Sequence, residues 1–192
     1  MRQGTARHAL RERGDDLYET PVEATRALLR HCGWLSERIW EPCCGPGAVV
    51  RELRASGRTV IATDLVDYGD RRCPDSEHGI DFLLTLEPRA DCIVTNPPFK
   101  LADEFIRHGL TLCSQVIVLL RLAALEGAKR SDLIDGHLQL VMLGKERLPM
   151  MHRDGWQGPT IGNSGAPFAW FFFNRFRRGD IALRRVSWRE AA

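Results

Sequence analysis

Residues 38–63 carry the sequence RIWEPCCGPGAVVRELRASGRTVIAT, in which two apolar runs flank a glycine-rich loop and a helical segment. Residues 38–41 predict a short strand, and residues 48–56 predict a helix that ends at Gly57. Residues 59–63 predict a second strand. Strand, helix and strand in this order are typical of a unit that builds a parallel sheet.

The remaining chain continues this alternation. Thr20 is predicted as a helix N-cap, with Pro21 at the first helical position. Five consecutive apolar residues at 116–120 suit a strand that is covered on both faces. The pattern predicts an α/β fold with a doubly wound, mostly parallel sheet and a C-terminal antiparallel hairpin. Further strands are predicted at 91–95, 116–120, 140–143, 168–174 and 181–188, and further helices at 22–32, 101–112 and between 127 and 138.

Composition predicts one globular domain over residues 1–192, with residues 1–17 as a flexible arm. The chain is 44% hydrophobic and 27% charged, with a net charge of +2. No apolar segment at the start resembles a secretory signal, and no apolar run approaches the ~20 residues that span a bilayer. The six cysteines form no C-x-x-C pair. We therefore expect a cytoplasmic protein with reduced thiols, without a metal site and without a membrane partner.

The loop Glu41-Pro42-Cys43-Cys44-Gly45-Pro46-Gly47 follows the first strand and opens a helix. Its glycines permit a tight turn and a close approach of a ligand to the backbone. It is not the dinucleotide fingerprint, because Val50 stands where the third glycine would fall. Glu41 would repel a pyrophosphate and favour an ammonium group. The loop therefore predicts a ligand in which an amino acid is joined to a nucleoside.

Two acidic positions downstream suit the nucleoside part of such a ligand. Asp64 ends the second strand, 17 residues after Gly47, where a carboxylate is well placed for the two hydroxyls of a ribose. The alternative is an ordinary carboxylate at the end of a strand. Asp81 offers an acceptor for an adenine amino group, and Phe82 offers a ring for its face.

Asn96-Pro97-Pro98-Phe99 follows the apolar run at 91–95. The amide of Asn96 and the carbonyl of Pro97 supply two acceptors for a planar primary amine, and Phe99 supplies an aromatic face. The prolines lack an N–H and restrict φ, so the segment is rigid and rich in acceptors. By itself the segment is also compatible with an ordinary turn after a strand.

In this order and spacing, these segments resemble the class I methyltransferases that use S-adenosylmethionine. More narrowly, they resemble the amino-methyltransferases with an Asn/Asp-Pro-Pro-aromatic motif, which act on N6 of adenine. Tyr18-Glu19-Thr20-Pro21 and the segment 120–126 add to the resemblance, and 152–156 with 168–171 resemble small phage- or prophage-type enzymes. The resemblance implies a catalytic motif at Asn96, Pro97, Pro98 and Phe99. It implies cofactor contacts at Tyr18, Thr20, Pro21, Glu41, Pro42, Cys43, Gly45, Gly47, Asp64, Leu65, Asp81 and Phe82.

One departure from this family is Glu41, where many relatives carry Asp, so the charge is retained with a reach that is one methylene longer.

The resemblance implies transfer of a methyl group to N6 of adenine in DNA. No separate target-recognition domain is predicted. Recognition would fall to the loop 144–167, through Lys145, Arg153 and Trp156, together with the arginine-rich C-terminus, or would be shared with a second subunit in a homodimer. The loop and the arginines are equally compatible with a packed loop and a solvated strand face.

Two other functions remain open from the sequence. Related motifs occur in methyltransferases that act on RNA adenine or guanine and on a glutamine side chain of a protein. A non-catalytic nucleic-acid-binding module could keep the same fold, although Glu41, Asp64 and Asn96 argue against loss of activity.

Overall fold

The computed structural model describes residues 18–69, 73–149 and 164–189. None of the helices in these ranges is long and apolar enough to cross a bilayer. The described α-helices are α1 (Val22–His31), α2 (Ala48–Ala55), α3 (Ala102–Leu112) and α4 (Ser131–His137). The described strands are β1 (Arg38–Glu41), β2 (Thr59–Ala62), β3 (Cys92–Thr95), β4 (Gln115–Arg121), β5 (Leu138–Gly144), β6 (Phe168–Asn174) and β7 (Ala182–Val186).

These strands form a single sheet in the order β2-β1-β3-β4-β6-β5-β7. The pairs β1–β2, β1–β3, β3–β4 and β5–β7 are parallel, whereas β6 is antiparallel to both β4 and β5. The predicted α/β fold with a mostly parallel sheet and an antiparallel hairpin is therefore confirmed. The hairpin is β5 with β6, and the third late strand, β7, lies parallel to β5 at the edge of the sheet.

Both faces of the sheet are buried, as the apolar run in β4 predicts. Ile117 and Leu119 point into a cluster that includes Leu28 of α1 and Leu53 of α2. Val116 and Val118 point into a second cluster, which includes α3 residues such as Phe105. This alternation follows from the two-residue period of a strand. The sheet therefore separates two hydrophobic layers, each covered by helices.

Helix α1 begins at Val22, as predicted, but its capping residue differs from the prediction. Pro21 has φ −57° and ψ 137°, so it precedes the helix as the capping residue, and no side chain caps the first turn. The first helical residue is Val22, and Ala24 N–H donates to the carbonyl of Pro21 at 3.0 Å. The prediction of Thr20 as the N-cap was wrong by one residue, because the extended ψ of Pro21 keeps it outside the helix. Thr20 is a buried residue that precedes the cap, with only 5% of its surface exposed.

The carboxyl ends of the four parallel neighbours meet at one edge of the sheet. Glu41 ends β1 and Ala62 ends β2, and these two residues are direct partners in the strand register. Thr95 ends β3 and Arg121 ends β4, next in the order. The loops that follow these strands therefore lie together, at the edge where ligands bind in open α/β sheets.

Candidate active site

A cavity of about 330 Å³ lies among the loops that follow β1, β2 and β3. Its volume falls within the range of small-molecule sites, roughly 300–1,000 Å³. Among the described residues, its lining comprises 18–20, 41–46, 48, 49, 64–66, 68, 80–83, 96–99, 101 and 105.

The loop from β1 to α2 depends on two glycines with a left-handed backbone. Gly45 has φ 49° and Gly47 has φ 86°, a region that other residues adopt at a cost. The N–H of Gly47 donates to the carbonyl of Cys44 at 2.8 Å. A Cβ added to Gly47 would lie 2.7 Å from the Cβ of Cys73, so the position has no room for a side chain. Gly47 does not line the cavity; it shapes the loop whose other residues do.

Glu41 is a buried carboxylate, 1% exposed, in the wall of the cavity. Its Oε1 accepts from Thr95 Oγ1 at 2.5 Å and from Cys43 N–H at 3.3 Å. Its Oε2 is buried and has no hydrogen-bond partner among the described residues. Burial raises the pKa of Glu41 to about 8, against the opposing effect of the bonds from Thr95 and Cys43. An unused oxygen in such a place would gain much from a cationic ligand group.

Thr95 connects this carboxylate to the Asn96-Pro97-Pro98-Phe99 segment. It is 1% exposed, and its hydroxyl lies 2.8 Å from the thiol of Cys43 while donating to Glu41. The Cys43 thiol in turn lies 3.6 Å from the carbonyl of Asn96. The ends of β1 and β3 are thus joined by buried polar contacts. Thr95 was not among the site residues predicted from the sequence, although a hydroxyl that ends an apolar strand just before a motif is a usable signal.

Asp64 follows β2 and is 6% exposed in the cavity wall. Its Oδ2 accepts from Gly45 N–H at 2.8 Å, and its Oδ1 accepts from Val66 N–H at 2.9 Å. Burial raises the pKa of Asp64, and these backbone bonds act in the opposite direction. Two carboxylate oxygens offer about four lone-pair positions, so both can still accept from a ligand. The backbone bonds hold the carboxylate at the junction of the glycine loop and the cavity.

Asp81 and Phe82 both line the cavity, but Asp81 is partly exposed whereas Phe82 is buried. Asp81 Oδ1 accepts from Leu83 N–H at 3.0 Å and begins a short 3₁₀ turn, Phe82–Leu84. Phe82 is only 2% exposed. Its ring centroid lies 4.8 Å from that of Phe105 and 5.1 Å from that of Trp40. Most of the Phe82 ring therefore belongs to the core, and only a small part of it borders the cavity.

The side-chain amide of Asn96 is held in one orientation. Its Nδ2 donates to the backbone carbonyl of Tyr18 at 3.3 Å. Its Oδ1 is buried and has no hydrogen-bond partner among the described residues. Pro97 and Pro98 line the cavity beside it, and the carbonyl of Pro98 accepts from Leu101 N–H at 2.9 Å. Asn96 therefore presents an unused acceptor within a rigid turn.

Among the described residues, two aromatic rings and one guanidinium contact the Phe99 ring. The Tyr18 ring stacks on it with centroids 6.1 Å apart and an interplanar angle of 25°. The Phe168 ring is tilted against it, also with centroids 6.1 Å apart. The guanidinium of Arg121 lies 5.1 Å from the centroid of the Phe99 ring.

The structure brings together nearly all the predicted site residues. The four residues of the predicted catalytic motif line the cavity, as do the predicted cofactor residues other than Pro21 and Gly47. Lys145 lies away from it, directly after β5, where its N–H donates to the carbonyl of Val186 at 2.7 Å. Arg153 and Trp156 lie outside the described residues. No group of three His, Cys, Asp or Glu side chains within the described ranges is arranged to hold a metal ion.

Several lining residues were not predicted from the sequence. Glu19 lies inside the segment 18–21 that the analysis had already singled out, and Tyr68 follows Asp64 by four residues. Phe105 belongs to α3, and only its position in the folded chain brings it to the cavity. A motif-centred interpretation misses such residues because their side chains come from the periphery of each motif.

No family model and no curated protein sequence matches the chain. Several solved structures are similar to the chain in fold. A methyltransferase subunit of a type I restriction-modification system from Streptococcus thermophilus is 15% identical, with a TM-score of 0.61 over 88% of this chain and 47% of that subunit. A proposed RNA methyltransferase from Pyrococcus horikoshii is 15% identical, with a TM-score of 0.59 over 83% of this chain and 87% of that protein.

A dimethyladenosine transferase from Plasmodium falciparum is 14% identical, with a TM-score of 0.53 over 82% of this chain and 62% of that enzyme. The chain thus spans about half of the Streptococcus subunit and less than two thirds of the Plasmodium enzyme. Because identity is this low, the likeness concerns the fold. The chain has the Rossmann-like α/β fold that these methyltransferases share.

Proposed function

We propose that this protein is an S-adenosylmethionine-dependent methyltransferase that transfers a methyl group to the exocyclic N6 amine of adenine in DNA. The observation that carries the proposal is one cavity lined by both Glu41 and Asn96, each of which has a buried oxygen, Oε2 and Oδ1 respectively, without a hydrogen-bond partner among the described residues. One suits the cationic end of an amino acid and the other suits a neutral amine. The neighbouring structures, which include a methyltransferase subunit of a type I restriction-modification system, support the reaction class.

The cavity residues fit S-adenosylmethionine. Glu41 would bind its ammonium group through Oε2, with the backbone of the glycine loop beside the rest of the methionine part. Asp64 would accept from the ribose hydroxyls while its two backbone bonds hold it in place. Asp81 would accept from the adenine amino group, and the exposed part of Phe82 would border the adenine ring. When bound, S-adenosylmethionine supplies an electrophilic methyl group on a sulfonium.

The chain's part in the reaction is to orient the target amine. An adenine amine is a poor nucleophile because its lone pair is delocalised into the ring. Asn96 Oδ1 and the carbonyl of Pro97 would each accept one of its two N–H bonds, which favours a pyramidal nitrogen with a more available lone pair. Asn96 Nδ2 donates to the carbonyl of Tyr18, and this bond turns Asn96 Oδ1 away from the Tyr18 carbonyl. Positioning of this kind contributes much of the acceleration in such reactions.

Asn96 is neutral, so it is not a strong base. The proton of the cationic product would leave to solvent after transfer. A target base in a duplex must first leave the stack, at a cost of a few kcal/mol. The exposed part of the Phe99 ring would offset some of this cost by stacking on the base.

Substitution of Asn96 by alanine tests the proposal. We expect Asn96→Ala to lower the transfer rate by about 100-fold or more, by analogy with the removal of one preorganised hydrogen-bonding group from an active site. The affinity for S-adenosylmethionine should stay within about threefold, because Glu41, Asp64 and Asp81 remain. The measurement is transfer of a radiolabelled methyl group to DNA and, separately, to RNA, followed by mass spectrometry of the nucleosides.

Asn174→Ala is the matched control, because Asn174 pairs with Gln115 at the opposite end of β4. Its rate should equal that of the unmodified protein. N6-methyladenine in RNA but not in DNA would correct the substrate and keep the mechanism. Cofactor binding without transfer to DNA, RNA or protein would favour a non-catalytic module and would overturn the proposal.

A further inference from the structure

Arg121 ends β4 beside the proposed target site and has no role in the reaction described above. Its strand position pairs directly with Phe168 of β6. Directly opposite residues in an antiparallel pair project to the same side of the sheet. Both side chains accordingly contact the same ring, that of Phe99. The backbone of Arg121 is held by the sheet, and its long side chain extends over the Phe99 ring.

The three neighbours of Phe99 differ in how easily they can move. Phe168 is buried within the core, at 6% exposure. Tyr18 lines the cavity, and its carbonyl accepts from Asn96. Arg121 alone among the three is exposed. A cation–aromatic contact is weak at an exposed site, so the guanidinium is the neighbour that a base would displace most readily.

No carboxylate in the described part of the chain forms an ion pair with Arg121. Its charge is consequently available to an anion. Arginine presents a planar set of donors that matches the oxygens of a phosphate. Every base that reaches Phe99 arrives with the phosphates of its own strand a few ångströms away.

We infer that Arg121 is a positioning residue for the nucleic-acid substrate. Its guanidinium covers the Phe99 ring in the free protein, gives way when the target base stacks there, and then binds a phosphate of the target strand. This inference rests on the proposed function, since it requires a nucleic-acid substrate that brings a base to Phe99. It adds a residue that recognises the strand rather than the base.

The test is binding of a fluorescein-labelled, adenine-containing oligonucleotide, measured by anisotropy at several salt concentrations with S-adenosylhomocysteine present. Loss of one phosphate contact lowers the slope of log affinity against log salt by about one. We expect Arg121→Ala to show this lower slope and about tenfold weaker binding. Arg121→Lys should keep most of the slope, because lysine retains the charge.

Arg38→Ala is the matched control. Arg38 is the first residue of β1, at the opposite end of that strand from the cavity. Its variant loses the same charge as Arg121→Ala. We expect its slope and affinity to match those of the unmodified protein. In transfer assays, Arg121→Ala should raise KM for the oligonucleotide about tenfold and leave kcat within about threefold. Affinity for S-adenosylmethionine should not change, which separates this role from a general structural effect.

The two proposals fail in different ways. If the unmodified protein binds neither DNA nor RNA oligonucleotides, the proposed function is wrong and the role of Arg121 falls with it. If the unmodified protein binds and Arg121→Ala has the same slope and affinity, only the role of Arg121 is overturned. An equal loss in Arg38→Ala would also overturn it, because the effect would then reflect overall charge.

Discussion

At the scale of single residues, the cavity retains polar groups that a purely structural site would have paired. Glu41 Oε2 and Asn96 Oδ1 are both buried and without a partner among the described residues. An unsatisfied buried polar group costs about 1–3 kcal/mol. Each of these residues also uses its other polar atom in a bond that holds the side chain still. The combination sacrifices stability for a preorganised pair of acceptors.

The pH dependence of stability tests the state of Glu41. Its pKa is about 8 in the folded chain, above the ordinary 4.5, because burial disfavours the charged form. The unfolded chain therefore loses the proton first, and the folded state becomes less stable as pH rises from about 4.5 to about 8. Relative to Glu41→Gln, the unmodified protein should lose a few kcal/mol over this interval. Denaturant unfolding of both proteins at pH 5 and pH 8.5, without cofactor, measures the difference.

Asp64 titrates in both proteins, so its contribution largely cancels in this comparison. Parallel stability curves for the two proteins would show that Glu41 has an ordinary pKa.

A separate calorimetric titration should find that Glu41→Gln binds S-adenosylmethionine at least about tenfold more weakly, since its neutral amide cannot pair with an ammonium group.

At the scale of elements, the glycine loop is the place where backbone geometry creates the site. The loop joins β1 to α2 in six residues, and the cavity is lined by loop residues before Gly47 and by the first two residues of α2 after it. Gly47 needs a positive φ and leaves no space for a Cβ beside Cys73. Its role is thus to let the loop turn sharply over the segment that contains Cys73. Any shift of this turn displaces Gly45 and, through its hydrogen bond, Asp64.

Gly47→Ala is expected to lower the free energy of unfolding by about 2–4 kcal/mol, from the left-handed backbone and the clash with Cys73 together. It should also weaken cofactor binding, because the loop must move. Gly57→Ala provides the control: Gly57 has φ 87°, but a Cβ there would meet nothing within 4 Å. Its cost should be about 1–2 kcal/mol, with unchanged cofactor binding. Equal losses of stability in the two variants would show that the contact with Cys73 is unimportant.

At the scale of the whole molecule, β6 unites the two hydrophobic layers. Trp170 and Phe172 belong to the layer with α1 and α2, whereas Phe171 and Phe173 belong to the layer with α3. Trp170 Nε1 also donates to the carbonyl of Ala24 in α1, at 2.9 Å. Since β6 lies between β4 and β5, it also joins the parallel strands that bear the site to the edge formed by β5 and β7. We therefore expect the described chain to unfold as one unit.

Phe171→Ala tests this expectation. Phe171 is fully buried, so the cavity left by its removal should cost about 3–5 kcal/mol. Far-ultraviolet dichroism and tryptophan fluorescence should report the same single transition in denaturant. The exposed Phe176 serves as the control, because Phe176→Ala should change stability by no more than about 0.5 kcal/mol. Two separate transitions would indicate that the β5–β7 edge is an independent unit.

The order of elements and the position of each motif were predictable because they depend on local patterns. Apolar runs located β1, β3 and β4 to within a residue, and glycines located the turn before α2. The end of β7 and the capping residue of α1 were placed less well. Thr20 looked like a capping residue in the sequence, but the extended backbone of Pro21 makes Pro21 the capping residue.

The sequence by itself determined the α/β alternation and the placement of Glu41, Asp64 and Asn96 at the carboxyl ends of successive strands, since local periodicity and turn chemistry specify both. Only the tertiary structure decided which side chains meet. Thr95 contacts Glu41 across 54 residues and Asn96 contacts Tyr18 across 78. Arg121 reaches Phe99 only because β6 pairs with β4 in one particular register. Such contacts depend on strand order and register, which arise from the packing of the whole sheet and not from any local segment.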